Sequence, residues 1–295
     1  MKYFYMKVGK SNSLAGKWIS GDNPLKRPAV VIFFGKSTID EIKSGKTNPQ
    51  AKDFLLCSSK KRRDGTLIAV VGDGNCWILQ PNGNVQEYIP TSRDVDNLDD
   101  LWKILPVKIL SSLPLRDVPP VLAGINANAY LSRGTFREIR NWGNIKAIHS
   151  VLKLHLPDEY LAKENCTASR LLECLSSVEL ETLVAKLFEA KGCFVPAYRG
   201  GYIQDVDLFI RNEKSVSVKM DGLLIPAHSN MTVQVKGLSG LRKSPKNVDC
   251  FIAFDAPKFN AEWLLHQVKS SPNVINWLKK SLSWLPSDFL SNYDL

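Results

Sequence analysis

Acidic, amide and lysine side chains alternate with apolar residues in two short segments of the second half of the chain. Asp205 and Asp207 alternate with valine and leucine, and Gln234 and Lys236 alternate with valines. Because successive side chains of a strand point to opposite faces, each polar pair is expected on a single face of its strand. Carboxylate and amide oxygens hold a hard divalent cation, and an ammonium group orients a water or offsets developing negative charge. The pattern therefore indicates metal-dependent chemistry on a phosphodiester.

A further acid, Glu181, comes from a different predicted element. A helix is predicted over residues 177–192, because Ser176 opens an S-x-x-E capping box and apolar residues recur at helical spacing. Glu181 lies at the edge of the apolar stripe, with Val184 and Phe188 as its neighbours along the helix. A carboxylate there is costly unless a charged group meets it. Each fragment alone is more often a solvated face, but chance rarely produces a helix acid, a strand acid and Q-x-K in this order.

Apolar and β-branched runs separated by turn residues predict the elements that hold these side chains. In the second half, strands are predicted at 193–198, 206–211, 231–237 and 248–256, with an inserted hairpin around Asp221-Gly222 and helices at the end. This order predicts an α/β sandwich. In the first half, the patterns predict a strand at 28–34, a helix at 37–45, a β-meander over 66–71, 76–80 and 85–89, and short helices from 93 and 134. The expected domains are a β-rich (α+β) domain over 1–150 and the α/β domain over 151–295.

Positive charge is concentrated in the first of these domains. The chain has 39 lysines and arginines against 29 acids, a formal net charge of +10. Residues 1–150 contain 22 basic and 13 acidic side chains, and residues 151–295 contain 17 and 16, so the net charges are +9 and +1. A basic first half suggests contact with a polyanion. Solubility alone is the alternative.

Several residues of the basic half are candidates for contact with nucleic acid: Lys60, Lys61, Arg62, Arg63, Trp18 and Arg133. The first four form a run between two predicted strands, which either follows a phosphate backbone or forms a solvated hairpin tip. The tryptophan is suited to stacking on a base, with a core position as the alternative. The last arginine belongs to a segment of aromatic, basic and hydroxyl residues that suits recognition, with an ordinary capped helix as the alternative.

The cysteines and the first residues indicate the cellular compartment in which the protein is expected. Of the six cysteines, no two form a CxxC pair, and the four histidines are not clustered with them, which argues against a structural zinc site. The first residues lack the apolar core of a secretory signal, and no run approaches the ~18–20 apolar residues that span a bilayer. The expectation is a cytoplasmic protein with reduced cysteines and no membrane partner.

Four segments of the second half together resemble a known family. The segments LETLVAKLF (180–188), GCFV (192–195), DVDL (205–208) and VQVK (233–236) resemble the Mrr-like branch of the PD-(D/E)xK nucleases, in which Q-x-K replaces the acidic D/E-x-K. The resemblance covers residues 177–256 and implies a restriction-endonuclease-like α/β sandwich. The family commonly places glycines between its two acids, whereas here only Val206 separates them. The choice between Asp205 and Asp207 therefore stays open, and Asp207 is favoured because Leu208 follows it, as in the family pattern.

The resemblance also implies roles for individual residues. Asp207 would be the central metal-binding acid, and Gln234 would occupy the second ligand position with the carbonyl of Val235 beside it. Lys236 would be the lysine near the attacking water, and Glu181 would support the metal or its waters. The implied cofactor is Mg²⁺, with Mn²⁺ as a substitute.

The resulting expectation is a metal-dependent DNA endonuclease that leaves 5′-phosphate ends. Restriction or phage defence, including modification-dependent restriction, is the role that the family suggests. Because duplex cleavage needs two nicks, a homodimer or higher assembly on DNA is expected. Two alternatives stay open: a nuclease effector whose first domain senses a small ligand or a partner protein, and a non-catalytic DNA-binding protein built on a nuclease-like core.

Overall fold

A computed structural model describes residues 1–9, 12–45, 48–90, 101–127, 131, 134–155, 166–196, 206–237 and 248–295. The chain divides into two units, Met1–Leu154 and His155–Leu295, a boundary close to the one expected from the sequence. Each unit has a hydrophobic core of its own. No helix in the described ranges has the length and apolar character needed to cross a membrane.

The first unit is built on a mixed sheet. Its strands are β1 (Lys2–Met6), β2 (Ala29–Phe33), β3 (Thr66–Gly72), β4 (Asn75–Pro81), β5 (Gln86–Tyr88), β6 (Trp102–Pro114) and β7 (Phe136–Glu138). The helices are α1 (Ala15–Ile19), α2 (Ile39–Lys43), α3 (Pro49–Cys57), α4 (Pro120–Ala123) and α5 (Trp142–Leu152). The strand order is β2-β6-β4-β3-β1-β7, and β5 also pairs with β6. The β1–β3 pair is parallel, and the other pairs are antiparallel.

In the first unit, the structure confirms predictions that rest on short local sequence patterns. The apolar run at 28–34 forms β2, and the helix predicted over 37–45 is α2. A capping box at Thr38 begins this helix, and Gly45, with a φ of 82°, follows its end. Strands β3 and β4 form the predicted antiparallel hairpin. These elements are encoded by short stretches of sequence, which is why they were predictable.

Three predictions for the first unit are wrong, and pairing between distant segments is the reason for the first two. The segment predicted as a helix from residue 134 forms β7, which pairs with β1, and the next helix begins only at Trp142. Strand β5 pairs with β6 rather than continuing the meander from β4. The basic run at 60–63 follows helix α3 and is not a hairpin tip between strands. The helix predicted from residue 93 falls mostly outside the described residues.

The second unit is a small sheet packed against helices. Its helices are α6 (Ala168–Leu172), α7 (Ser177–Ala190), α8 (Ala261–Lys269), α9 (Pro272–Ser281) and α10 (Ser287–Ser291). Its strands are β8 (Leu208–Asn212), β9 (Val218–Met220), β10 (Leu223–Ile225), β11 (Ser229–Lys236) and β12 (Cys250–Ala253). The sheet order is β12-β11-β8, in which β11 is parallel to β12 and antiparallel to β8. The fold class is therefore mixed α/β, as predicted at that level.

Helix α7 has the start and end that the sequence predicts. The hydroxyl of Ser176 accepts the Glu179 N–H at 3.2 Å, and the Glu179 carboxylate accepts the Ser176 N–H at 2.9 Å. The helix ends before Gly192, whose φ of 84° favours glycine. Its apolar stripe belongs to the same core cluster as the inward-facing residues of β8 and β11. Helix α7 is thereby anchored on the two strands that carry the candidate site.

Asn212 holds the inserted hairpin that lengthens the chain between the two polar segments. Strands β9 and β10 form this hairpin, with the predicted turn at Asp221-Gly222. The Asn212 side chain is fully buried, and its Nδ2 donates to the carbonyls of Val216, Ile225 and Pro226 at 3.0, 3.2 and 2.8 Å. Asn212 thus ties together both ends of the hairpin.

Replacement of Asn212 by alanine is expected to lower the free energy of unfolding by about 2–3 kcal/mol, because buried carbonyls lose their donor. Urea unfolding of the full chain, monitored by a probe in the second unit, measures this change. The matched control is Asn230→Ala, which removes the same side chain from an exposed position on β11 and should change stability by less than about 0.5 kcal/mol. Equal effects of the two substitutions would contradict the proposed anchoring role.

Candidate active site

The pairing of β8 with β11 brings the two polar segments together. Asp207 immediately precedes β8, and Leu208 pairs with Val233 in the antiparallel register. The Asp207 N–H donates to the Val233 carbonyl at 2.9 Å, which continues the ladder by one residue beyond the strand. Asp207 therefore lies beside Gln234, at the end of β11 that also carries Lys236.

One carboxylate oxygen of Asp207 is the centre of the site. Its Oδ2 accepts the Val235 N–H at 2.7 Å and lies 3.3 Å from Nζ of Lys236. The side chains of Asp207 and Lys236 are 19% and 33% exposed, so the pair is partly shielded and still reaches solvent. Among the described residues, none donates a hydrogen bond to Oδ1 of Asp207. Oδ2 is thus held by two groups of the protein, the Val235 N–H and the Lys236 ammonium.

Gln234 is buried next to this ion pair. Its side chain is 2% exposed, and strand alternation puts it on the same face as Lys236, whereas Val235 points into the core. The backbone of Gln234 pairs with Phe251 of β12, so the residue is held between two strands. The predicted grouping of Asp207, Gln234 and Lys236 on one face of the sheet is therefore present in the structure.

Helix α7 approaches the same end of β11. Glu181 is half-buried and follows Leu180, whose side chain packs against Gly237, the residue after Lys236. A Cβ at Gly237 would lie 3.0 Å from Cδ2 of Leu180, so only glycine permits this close approach without a shift. The helix acid is thus held in the turn of α7 that packs at the end of the strand. Asp205 lies outside the described residues.

The oxygen donors at this site fit Mg²⁺ better than zinc. The predicted donors are the carboxylates of Asp207 and Glu181, the amide of Gln234 and the Val235 carbonyl, of which the structure brings Asp207 and Gln234 to one face of the sheet. Mg²⁺ is usually held by one or two carboxylates and keeps several waters, whereas zinc prefers thiolate and imidazole ligands. In the described ranges, no group of three or more His, Cys, Asp or Glu side chains is placed to hold a metal. A cation at Asp207 would also compete with the ammonium of Lys236.

Three of the described cysteines are poor nucleophiles. Cys57, Cys76 and Cys250 are buried, and burial raises the pKa of each thiol to about 12. A thiol with such a pKa carries almost no thiolate at neutral pH, and the thiolate is the reactive form. Cys193 and Cys250 belong to the hydrophobic core.

The candidate nucleic-acid contacts of the first unit differ in their surroundings. Lys60, Lys61 and Arg62 are exposed between α3 and β3. Arg63, in contrast, is part of the scaffold, because its guanidinium donates to the carbonyl at the end of α3 and to Asn84 Oδ1, both at 3.0 Å. Arg133 lies outside the described residues.

Trp18 lies in the hydrophobic core, which was the alternative to a role in base stacking. Its side chain is 1% exposed and packs against Trp102 and Tyr88, with ring centres 5.9 and 6.1 Å away. In this conformation, its ring has no open face on which a base could stack.

Two features of the site were missed by the sequence reasoning. The N–H of Val235 donates to the Asp207 carboxylate, whereas the resemblance implies a role for the Val235 carbonyl. Gly237 admits the close approach of helix α7, and its position directly after V-Q-V-K was the signal that could have indicated it.

Comparisons with known proteins identify no family, so the function has to be argued from the residues of the site. A scan against protein-family models gave no match, and searches of the curated proteins and of the solved structures gave no significant match.

Proposed function

We propose that the second unit is a metal-dependent nuclease domain that hydrolyses phosphodiester bonds in DNA. The observation that carries the proposal is the contact between Asp207 Oδ2 and Lys236 Nζ at 3.3 Å, with Gln234 on the same face of the sheet. At one end of the sheet lie a fixed carboxylate, an amide oxygen and an ammonium group. The two oxygens can bind a metal ion, and the ammonium can stabilise the charge of a phosphodiester.

The order of the elements supports the restriction-endonuclease-like form of this proposal. Helix α7 is followed by a short extended segment at Phe194, which pairs with Arg211 of β8, and then by β8 and β11. The chain then returns to form β12, parallel to β11. This is the order of helix, GCFV, DVDL and VQVK segments on which the resemblance rests.

Each residue of the site has a proposed role. Asp207 and Gln234, with the Val235 carbonyl and Glu181, would hold Mg²⁺, which would supply Lewis-acid stabilisation of the phosphate and lower the pKa of a bound water. Lys236 lies beside the carboxylate, where its ammonium can donate to a water or to a phosphate oxygen. There it would orient the nucleophile and offset the negative charge of the transition state.

The first unit is proposed to hold the DNA. Its exposed cations at 60–62 form a basic run in a region whose net charge over residues 1–150 is +9. The proposal includes cleavage of both strands by a homodimer and a role in restriction or phage defence.

Replacement of Lys60, Lys61 and Arg62 by alanine is expected to weaken DNA binding and to flatten its salt dependence. Each lost phosphate contact reduces the slope of log affinity against log salt by about 0.9, so the slope should fall by about 2–3. Fluorescence anisotropy of labelled DNA at several salt concentrations measures it. The control removes the same charge from exposed Lys26, Lys36 and Lys43, and an equal loss of slope in that control would contradict a specific role for the run.

A substrate panel tests the proposed activity. Purified full chain is incubated with Mg²⁺ or Mn²⁺ and single-stranded, duplex, modified or unmodified DNA, and the ends of the products are analysed. Metal-dependent cuts with 5′-phosphate ends are expected. Cleavage that appears only after addition of a small molecule or a partner protein would favour the effector alternative, and binding without any cleavage would favour the non-catalytic one.

A further inference from the structure

The face of the sheet that carries Asp207 continues along β8 and β11 beyond the candidate active site. Phe209 lies opposite Thr232, and Arg211 lies opposite Asn230, in the antiparallel register. Because the side-chain period of a strand is two, these residues share the face of Asp207. The face therefore carries an aromatic ring, a guanidinium group and an amide in line with the proposed site of cleavage.

A depression of about 300 Å³ lies on this part of the face. Its lining includes Pro196, Phe209, Arg211, Asn230, Thr232 and Asp249. Ligand pockets range from roughly 300 to 1,000 Å³, so this one is at the lower end. A volume of this size suits a single aromatic ring system rather than a larger molecule.

The side chains in and beside the depression can stack on a flat ligand and form hydrogen bonds with it. The guanidinium carbon of Arg211 lies 6.0 Å from the centre of the Phe194 ring, and that phenylalanine is 49% exposed. Nε of Arg211 donates to Asn230 Oδ1 at 3.3 Å, which orients the guanidinium plane. Aromatic rings and guanidinium planes are the surfaces on which unstacked bases are bound.

The charges around the depression favour a neutral ligand over a phosphate. Arg211 lies 3.5 Å from Glu213, so its charge is partly offset. Asp249 accepts hydrogen bonds from the N–H and the hydroxyl of Thr232, both at 2.8 Å, and these bonds lower the pKa of its carboxyl group. An ionised carboxylate in the wall repels a phosphate but accepts hydrogen bonds from the amino groups of a base.

The distance along β8 from Asp207 to the depression corresponds to a few nucleotides of a substrate strand. Phe209 and Arg211 are two and four residues from Asp207, which corresponds to roughly 7 and 14 Å along a strand. Stacked nucleotides rise about 3.4 Å each, and an unstacked strand is longer per nucleotide. The depression is therefore within a few nucleotides of a phosphodiester at Asp207.

We propose that this depression binds one unstacked nucleobase of the substrate strand, next to the phosphodiester that is hydrolysed. The proposal rests on the proposed nuclease function and specifies its substrate as single-stranded or locally unpaired nucleic acid. Phe209 and Arg211 supply the stacking surfaces, and Asn230 and Asp249 meet the edge of the base.

The test measures binding separately from cleavage. Single-stranded oligonucleotides with one 2-aminopurine at successive positions are titrated with the full chain in EDTA, and the fluorescence of the base reports its stacking. At one or a few positions, the wild type should change the fluorescence on binding. Phe209→Ala and Arg211→Ala should abolish this change and weaken binding about tenfold, because stacking on a side chain contributes strongly per base. Phe209→Tyr should retain both, and Leu224→Ala, on the exposed hairpin, should resemble the wild type.

The outcomes separate the two proposals. A fluorescence response that is absent at every position, or unchanged in Phe209→Ala, overturns the base-binding subsite even if the wild type cleaves DNA. A response that requires Phe209, together with no cleavage under any metal, supports the subsite and overturns the nuclease activity. Parallel titrations with RNA and with fully paired duplex distinguish the source of the base, and an equal response with a stable duplex would also contradict the proposal.

Discussion

Replacement of Lys236 by methionine is expected to lower the rate of DNA cleavage by about 10²–10⁴-fold, the range typical of a lost proton-transfer or charge-stabilising group. Methionine keeps the length and apolar stem of the side chain but removes the ammonium that lies 3.3 Å from Asp207. Single-turnover cleavage under saturating Mg²⁺ measures the chemical step without contributions from product release.

The fold should survive this substitution. The pair is partly exposed, so its loss should change the free energy of unfolding by less than about 1 kcal/mol. Val235 continues to donate to the Asp207 carboxylate in the variant. Lys219→Met, an exposed position on β9, is the control and should cleave at the wild-type rate. A Lys236→Met rate within threefold of the wild type would remove the lysine from the mechanism.

Two substitutions of Asp207 separate its chemical role from its structural one. Asp207→Asn removes the charge but keeps an oxygen that can accept the Val235 N–H, whereas Asp207→Ala removes both. Each is expected to lower the cleavage rate by about 10²–10³-fold, because a cation-binding carboxylate is lost. Only Asp207→Ala should also lower the free energy of unfolding, by about 1–3 kcal/mol, since the buried N–H of Val235 loses its acceptor.

The measurements are cleavage at varied Mg²⁺ concentration and urea unfolding of both variants. Wild-type cleavage with unchanged metal dependence in Asp207→Asn would shift the role of the metal-binding acid away from Asp207, for which Asp205 is the next candidate. Equal stability of the two variants would contradict the structural contribution of the bond to Val235.

The candidate site was largely predictable because its signals are local. The capping box at Ser176 predicts the start of α7. The alternation of Gln234 and Lys236 with valines predicts the face of the sheet on which they lie. The Asp-Gly pair at 221–222 indicated the hairpin that accounts for the long interval before Gln234. Each of these inferences needed only neighbours a few residues apart.

The missed features depend on contacts between distant residues. Phe136 lies in a strand because it pairs with Met6 and packs on Phe4 and Phe54, contacts that outweigh the helical pattern around it. Trp18 is buried because it meets Trp102, which is far away in the chain. The sequence predicts Phe209 and Arg211 as strand residues, and the depression that they line forms only where β8 pairs with β11.

The most direct test of the nuclease site is cleavage of DNA by the purified full chain after removal of metal with EDTA and after return of excess Mg²⁺, with Lys236→Met treated in parallel. We predict no cleavage in EDTA, restored cleavage with 5′-phosphate ends after Mg²⁺ is returned, and cleavage by the variant that is at least about 100-fold slower than that of the wild type after Mg²⁺ is returned. Cleavage that persists in EDTA, or that is undiminished in Lys236→Met, would contradict a metal-dependent site at Asp207, Gln234 and Lys236.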